Sequence, residues 1–240
     1  MICFLTSRCD CPERSTLNPA NGFCRTLRGC FPEPCRFLYV CSDPENREKT
    51  DFYAAVTREL FENAGFRFRS FSVLDGRNER EAAKLVKDAN FIVLAGGHVP
   101  TQNRFFAKIG LKRLLRDFDG VLIGISAGSM NCAQTVYAQP EEDGEALDPD
   151  YRRFLPGLGL TQTMILPHYQ EIKDELLDGL RVMEEIAYPD SLGRSFWCLP
   201  DGSYLLAENG TETVFGEAYR LSDGVLTQVS SDGGCVRLRP

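Results

Sequence analysis

Apolar residues fall in short, dense runs separated by polar stretches of helical spacing. Ile2 to Thr6, Phe37-Leu38-Tyr39-Val40-Cys41, Phe91-Ile92-Val93-Leu94-Ala95 and Val121-Leu122-Ile123-Gly124-Ile125 are apolar almost throughout. A strand with no polar face has both faces covered, so these runs predict the centre of a parallel sheet. From Asp51 to Ala64 the residues Phe52, Val56 and Leu60 recur at every fourth position, and Gly65 follows where a C-terminal cap belongs. That spacing predicts a helix with this stripe turned inward. Phe66 to Val73 alternates Phe with Arg or Ser and reads as a half-exposed strand. Asn78 to Asp88 reads as a charged amphipathic helix, and Gln102 to Arg116 as helical turns. Strands alternating with helices define an α/β protein, a three-layer fold around a doubly wound, mostly parallel sheet.

Beyond Tyr188-Pro189 the texture changes. Short apolar stretches are divided by Pro200-Asp201-Gly202, Glu208-Asn209-Gly210 and Ser222-Asp223-Gly224. Each is a hairpin signal, which predicts a small C-terminal antiparallel β extension. The 240 residues then form a single domain, with an α/β core over 1–190 and the extension over 191–240. Ser7 to Pro34 is rich in Cys, Pro, Gly and Asn, with one short helix near Gly22 to Leu27.

Charge and composition narrow the possible partners. The net charge is −7, so a nonspecific nucleic-acid binder, which needs a positive field, is excluded. No apolar stretch approaches the roughly 18 residues of a membrane helix. The first eight residues lack a basic leader, so the expected location is cytoplasmic. Seven of the ten cysteines lie within the first 41 residues. In a cytoplasmic chain these read as reduced thiols, and without a C-x-x-C pair or a nearby His they do not make a zinc site. No metal and no organic cofactor is implied.

Against this frame the chemistry concentrates in three places. Gly124-Ile125-Ser126-Ala127-Gly128 matches G-x-S-x-G, directly after a buried strand and before an expected helix. That is the setting of a nucleophile elbow, with Ser126 as nucleophile and the Ala127 N–H aimed at a developing oxyanion. Ser129 should lie inside the helix. The chain has only two histidines, His98 and His168. His168 ends the apolar run Met164 to Pro167, a strand-end position where sites of open α/β sheets collect. It reads as the base that takes the Ser126 proton and returns it to a leaving amine. Gly96 and Gly97 end another strand and can bring backbone N–H groups close to a ligand, as a second oxyanion wall. His98 beside them reads as pocket lining.

On these residues the sequence resembles the dipeptidase E and cyanophycinase family of serine peptidases. The match is carried by Ala95-Gly96-Gly97-His98 with Gln102 downstream, by Gly124 to Gly128, and by Pro167-His168-Tyr169, over about residues 36 to 187. The resemblance implies a fold like that of class I glutamine amidotransferases, with Ser in place of Cys at the elbow. It implies hydrolysis of a peptide bond in a small peptide substrate, such as dipeptides with N-terminal aspartate or the β-aspartyl–arginine links of cyanophycin. It assigns Ser126 as nucleophile, His168 as base, and the N–H groups of Gly97 and Ala127 as the oxyanion hole. It also places an acid shortly after the serine. Glu141 is the choice, with Glu142, Glu145 and a bare Ser–His dyad as alternatives. The family's substrate-binding Arg has no clear counterpart: Arg181 lies near its place and reads as a solvated helix residue. The assembly is expected to be a monomer or homodimer.

Other classes fit less well. An esterase of the α/β-hydrolase kind carries its His near the chain end, whereas some 70 residues without any His follow His168. A glutamine amidotransferase needs Cys at the elbow, and Cys132 belongs inside the helix. A binding protein that keeps the fold without turnover is the non-enzyme alternative.

Overall fold

The computed structural model describes residues 1–238. Its centre is an eight-stranded sheet. From one edge the order is Cys235–Arg237, Thr211–Phe215, Tyr204–Glu208, Ile2–Thr6, Val121–Ile125, Phe91–Leu94, Arg36–Val40 and Ser70–Leu74. The last five run parallel to one another, as the apolar runs predict. Phe91, Ile92, Val93 and Leu94 are all fully buried, so both faces of that strand are covered. Phe37 anchors an aromatic cluster, with ring centroids 5.1 Å from Phe91, 4.9 Å from Phe71 and 4.8 Å from Phe68. No helix among the described residues is long and apolar enough to cross a membrane.

Register brings the functional segments together. Thr6 pairs with Ile125, Leu94 with Gly124, and Val40 with Leu94. The residues that follow these strands, Ser7, Ser126, Ala95 and Cys41, therefore emerge side by side at the carboxyl edge. The chain also reverses direction here, from Ser70–Leu74 back across Arg36–Val40 to Phe91–Leu94, which is where doubly wound sheets bind ligands.

The C-terminal strands are built in differently from the expected appendage. Tyr204–Glu208 pairs antiparallel with Ile2–Thr6 and extends the main sheet, with Thr211–Phe215 and Cys235–Arg237 outside it. Ser195–Cys198, Ala218–Ser222 and Val225–Ser230 join Met164–Leu166 in a second, four-stranded sheet. Two of the three turn signals are hairpins: Asn209-Gly210 (φ 51° and 72°) and Asp223-Gly224 (φ 52° and 73°) have both residues at positive φ, as a type I′ turn requires. In Pro200-Asp201-Gly202 only Gly202 is at positive φ, and this segment carries the chain from one sheet to the other.

Two further expectations are corrected. The helix Arg47–Asn63 starts earlier than Asp51 because the Asn46 side chain accepts the Lys49 N–H at 3.1 Å and caps it. Its buried stripe is Thr50, Ala54, Thr57 and Phe61, while Phe52 is 62% exposed. Small residues on that stripe let the helix pack closely on Thr16–Leu17, which a Phe52 stripe would prevent. Phe66 and Phe68 precede the strand, which spans Ser70–Leu74, because their rings turn into the aromatic cluster.

Candidate active site

The site is assembled from four separate segments at the carboxyl edge of the sheet. The first is the elbow. Ser126 sits at φ 50°, ψ −114°, a conformation that L residues rarely adopt, between the strand Val121–Ile125 and the one-turn helix Ala127–Met130. Its N–H is shared between the carbonyls of Thr6 (3.0 Å) and Ser7 (3.1 Å), which offsets part of the strain. The flanking glycines are required by contact. A Cβ on Gly124 would come within 2.7 Å of Ser129 Cα, and one on Gly128 would collide with the Leu94 carbonyl. Ser129 is buried and donates its hydroxyl to Thr6 O at 2.8 Å, so it is occupied structurally.

His168 follows the strand Met164–Leu166 and is also in the left-handed region, at φ 55°. That turn swings the ring back over the elbow. Nε2 lies 2.9 Å from Ser126 Oγ, the reach a proton transfer needs. Nδ1 lies 2.8 Å from Asp201 Oδ1, on the segment that links the two sheets. The hydroxyl, the imidazole and the carboxylate form one hydrogen-bonded chain. Burial pushes the Asp201 carboxyl pKa up, but hydrogen bonds from His168 and Ser7, with the charges of His168 and Arg8, outweigh it and hold it below the ordinary value.

The acid behind His168 is thus Asp201 in place of Glu141. Glu141 Oε1 accepts the Val99 N–H at 3.1 Å, at the start of the helix Val99–Lys108. The residue is exposed, but its carboxyl tip turns inward, and burial pushes its pKa up despite the Val99 bond and the nearby His98. Glu142 and Glu145 likewise lie on this loop. Glu145 Oε1 is 2.8 Å from His98 Nε2, and its Oε2 accepts the N–H groups of Glu141 and Glu142. His98 Nδ1 meets Thr101 Oγ1 at 2.8 Å. The acidic loop therefore latches onto His98 and Val99, not onto the His168 ring.

Gly96 and Gly97 do stand beside the nucleophile. A Cβ on Gly96 would approach Ser126 Cβ to 3.5 Å, and Gly97 (φ 145°) is packed so closely on Ser42 that a Cβ would strike its hydroxyl. Gln102, fully buried, donates to Ala95 O at 2.7 Å and accepts from Asn131 at 3.0 Å, which fixes the strand end from which the glycines depart. Ala127 opens its helix, so its N–H has no carbonyl to meet within it.

Among the described residues, two groups of donor atoms are spaced as cation ligands could be: His98 with Glu142 and Glu145, and His168 with Glu171 and Asp201. In each, both imidazole nitrogens are already hydrogen-bonded, so a cation would displace one of those bonds. All ten cysteines are free thiols, and burial pushes those of Cys9, Cys35 and Cys41 up to about 12, which keeps them protonated.

Asp201 and Ser7 escaped the sequence reading. The Asp-Gly pair at 201–202 carries the same signal as a hairpin turn, and Ser7 is one polar residue after an apolar run.

A serine strained at a strand-to-helix turn, bonded to an imidazole that is bonded to a carboxylate, at the switch point of a doubly wound sheet, is the arrangement of a serine hydrolase. Residues 38–214 match the model of Peptidase family S51, and the chain belongs to that family, the dipeptidase E and cyanophycinase family of serine-type peptidases. No curated protein matches the chain. Among solved structures, it resembles a crystal structure from Listeria monocytogenes EGD-e described provisionally as a peptidase E protein. That likeness has a TM-score of 0.60 at 15% identity, over 95% of this chain and 98% of the other, and shows a shared fold.

Proposed function

We propose that this serine-type peptidase cleaves small peptides through an acyl-enzyme on Ser126. Ser126 Oγ attacks the scissile carbonyl while His168 Nε2 takes its proton. The oxyanion is received by the N–H groups of Gly97 and Ala127, with Gly96 giving room for the approach. Collapse breaks the C–N bond, and His168 returns the proton to the leaving amine. Water, deprotonated by the same nitrogen, then hydrolyses the ester and frees Ser126. Asp201 holds the ring in the tautomer with Nδ1–H and stabilises its charged form. Glu141 has no part in proton transfer; it steadies the turn after Gly97. His98, held by Thr101 and Glu145, lines the substrate side of that turn.

The observation that carries this reading is the unbroken chain from Ser126 Oγ through His168 (2.9 Å) to Asp201 (2.8 Å). The substrate is a peptide of dipeptide size, with aspartyl dipeptides foremost by family. Arg8, beside Asp201 at 3.9 Å, is already bonded through Nε to Asp10, so an aspartyl carboxylate must compete for it. Arg181 lies exposed in a two-residue strand, not a helix, and lines a separate cavity of about 270 Å³ with Lys173.

A dipeptide library that includes α- and β-aspartyl members, assayed for released amines, tests the proposal. Hydrolysis by wild type and none by Ser126→Ala is expected. Hydrolysis that persists in Ser126→Ala contradicts it, whereas cleavage of other dipeptides with aspartyl members untouched removes only the aspartyl preference.

A further inference from the structure

The side chains at 126, 168 and 201 come from three segments far apart in sequence, and Ser7, on another, bonds to the backbone of the first two residues and the carboxylate of the third. We infer that Ser7 is a positioning residue that sets the geometry of the catalytic chain, an inference that rests on the serine-hydrolase reading above. Ser7 follows the strand Ile2–Thr6 and is fully buried. Its carbonyl accepts the Ser126 N–H at 3.1 Å. Its hydroxyl accepts the His168 backbone N–H at 2.8 Å and donates to Asp201 Oδ1 at 2.7 Å. Its own N–H reaches Ser203 O at 3.4 Å, two residues beyond that acid.

The carbonyl and the hydroxyl of Ser7 are therefore both spent on the site. One hydroxyl does two things that no other group among the described residues does together. By holding the His168 N–H, it fixes a residue whose positive φ would otherwise favour relaxation, and so fixes where the ring departs from the chain. By donating to Oδ1, it fixes the rotamer of the carboxylate on the same oxygen that receives Nδ1–H. A donor on Oδ1 also favours the charged carboxylate, which agrees with the lowered Asp201 value. With no exposure to solvent, water has no direct route to replace the hydroxyl, so its loss leaves both partners short of a bond.

A serine with a merely structural role and a positioning serine differ in what their loss does to pH dependence. The test is the second-order rate at which an alkyl fluorophosphonate labels Ser126, measured across pH, with the adduct mapped by mass spectrometry and folding checked by thermal melt. Ser7→Ala should slow labelling about 10- to 100-fold, the penalty of a small misplacement of reacting groups. It should also move the low-pH limb to higher pH, because an Asp201 carboxylate short of a donor pulls harder on the Nδ1–H proton and favours the charged ring, which cannot act as the base. Ser7→Cys keeps the size of the side chain but is a weak donor, so it should change both quantities in the same direction by less. If Ser7→Ala does not fold, Ser7→Cys decides alone. Folded variants that label at the wild-type rate, or label slowly with the low-pH limb unmoved, overturn the role of Ser7 and leave the triad standing. Wild-type protein that gains no adduct at Ser126 overturns both.

Discussion

At the scale of single residues, the proposed mechanism gives two carboxylates different roles, one chemical and one structural. Asp201 meets the imidazole, whereas Glu141 meets a backbone N–H. Asp201→Asn keeps the shape but favours the wrong imidazole tautomer, and should lower kcat by about 10³-fold or more. Glu141→Gln retains an acceptor for Val99 and should leave kcat near wild type. Their stabilities should differ too. A carboxyl raised by burial costs stability above its folded pKa, so at pH 7 Glu141→Gln should melt no lower than wild type. Asp201 is depressed, so its contribution is present above the ordinary aspartate value and is lost only as pH falls through its lower folded value. A kcat loss in Glu141→Gln as large as that in Asp201→Asn would contradict these assignments. Sequence alone could single out Ser126 and His168 as candidates, because a strand-to-helix G-x-S-x-G and a scarcity of histidines are local signals. It could not identify Asp201, because Asp before Gly is what turn chemistry also selects, and only the φ values of the folded chain tell the two apart.

At the scale of elements, the turn at Ser126 is first a packing solution. Ser126 can hold its strained turn only while Gly124 lets Ser129 approach and Gly128 lets the helix lie on the Leu94 carbonyl. Gly124→Ala should cost about 1–3 kcal/mol by overpacking and displace the Ser126 hydroxyl, so that labelling falls more than stability does. A variant with wild-type melting and labelling would show that the close approach is unimportant. The buried strands were legible because four or five apolar residues in a row have one explanation in an α/β chain. The face of Arg47–Asn63 was not, since the large Phe52 outweighs Ala54 and Thr57 in any count of hydrophobicity, while close packing on Thr16–Leu17 favours the small residues.

At the scale of the whole molecule, the C-terminal strands belong to the same body as the candidate site. Tyr204–Glu208 is the direct neighbour of Ile2–Thr6, the strand that delivers Ser7, and Asp201 lies just before it. Two of the three turn signals mark hairpins and the third does not, and none could say which strands would pair beyond them, because pairing across some 200 residues leaves no local trace. A chain truncated after Leu192 should therefore lose cooperative thermal unfolding altogether. A truncated chain with a sharp melt would restore the picture of an appended module.

The central claim is that the Ser126 hydroxyl, activated by His168, is the nucleophile. Intact-mass measurement after treatment with an alkyl fluorophosphonate tests it most directly. One adduct per chain, located by peptide mapping on Ser126 and absent from both Ser126→Ala and His168→Ala, is the predicted result. An unmodified wild-type chain, or an adduct on any other residue, would contradict the account.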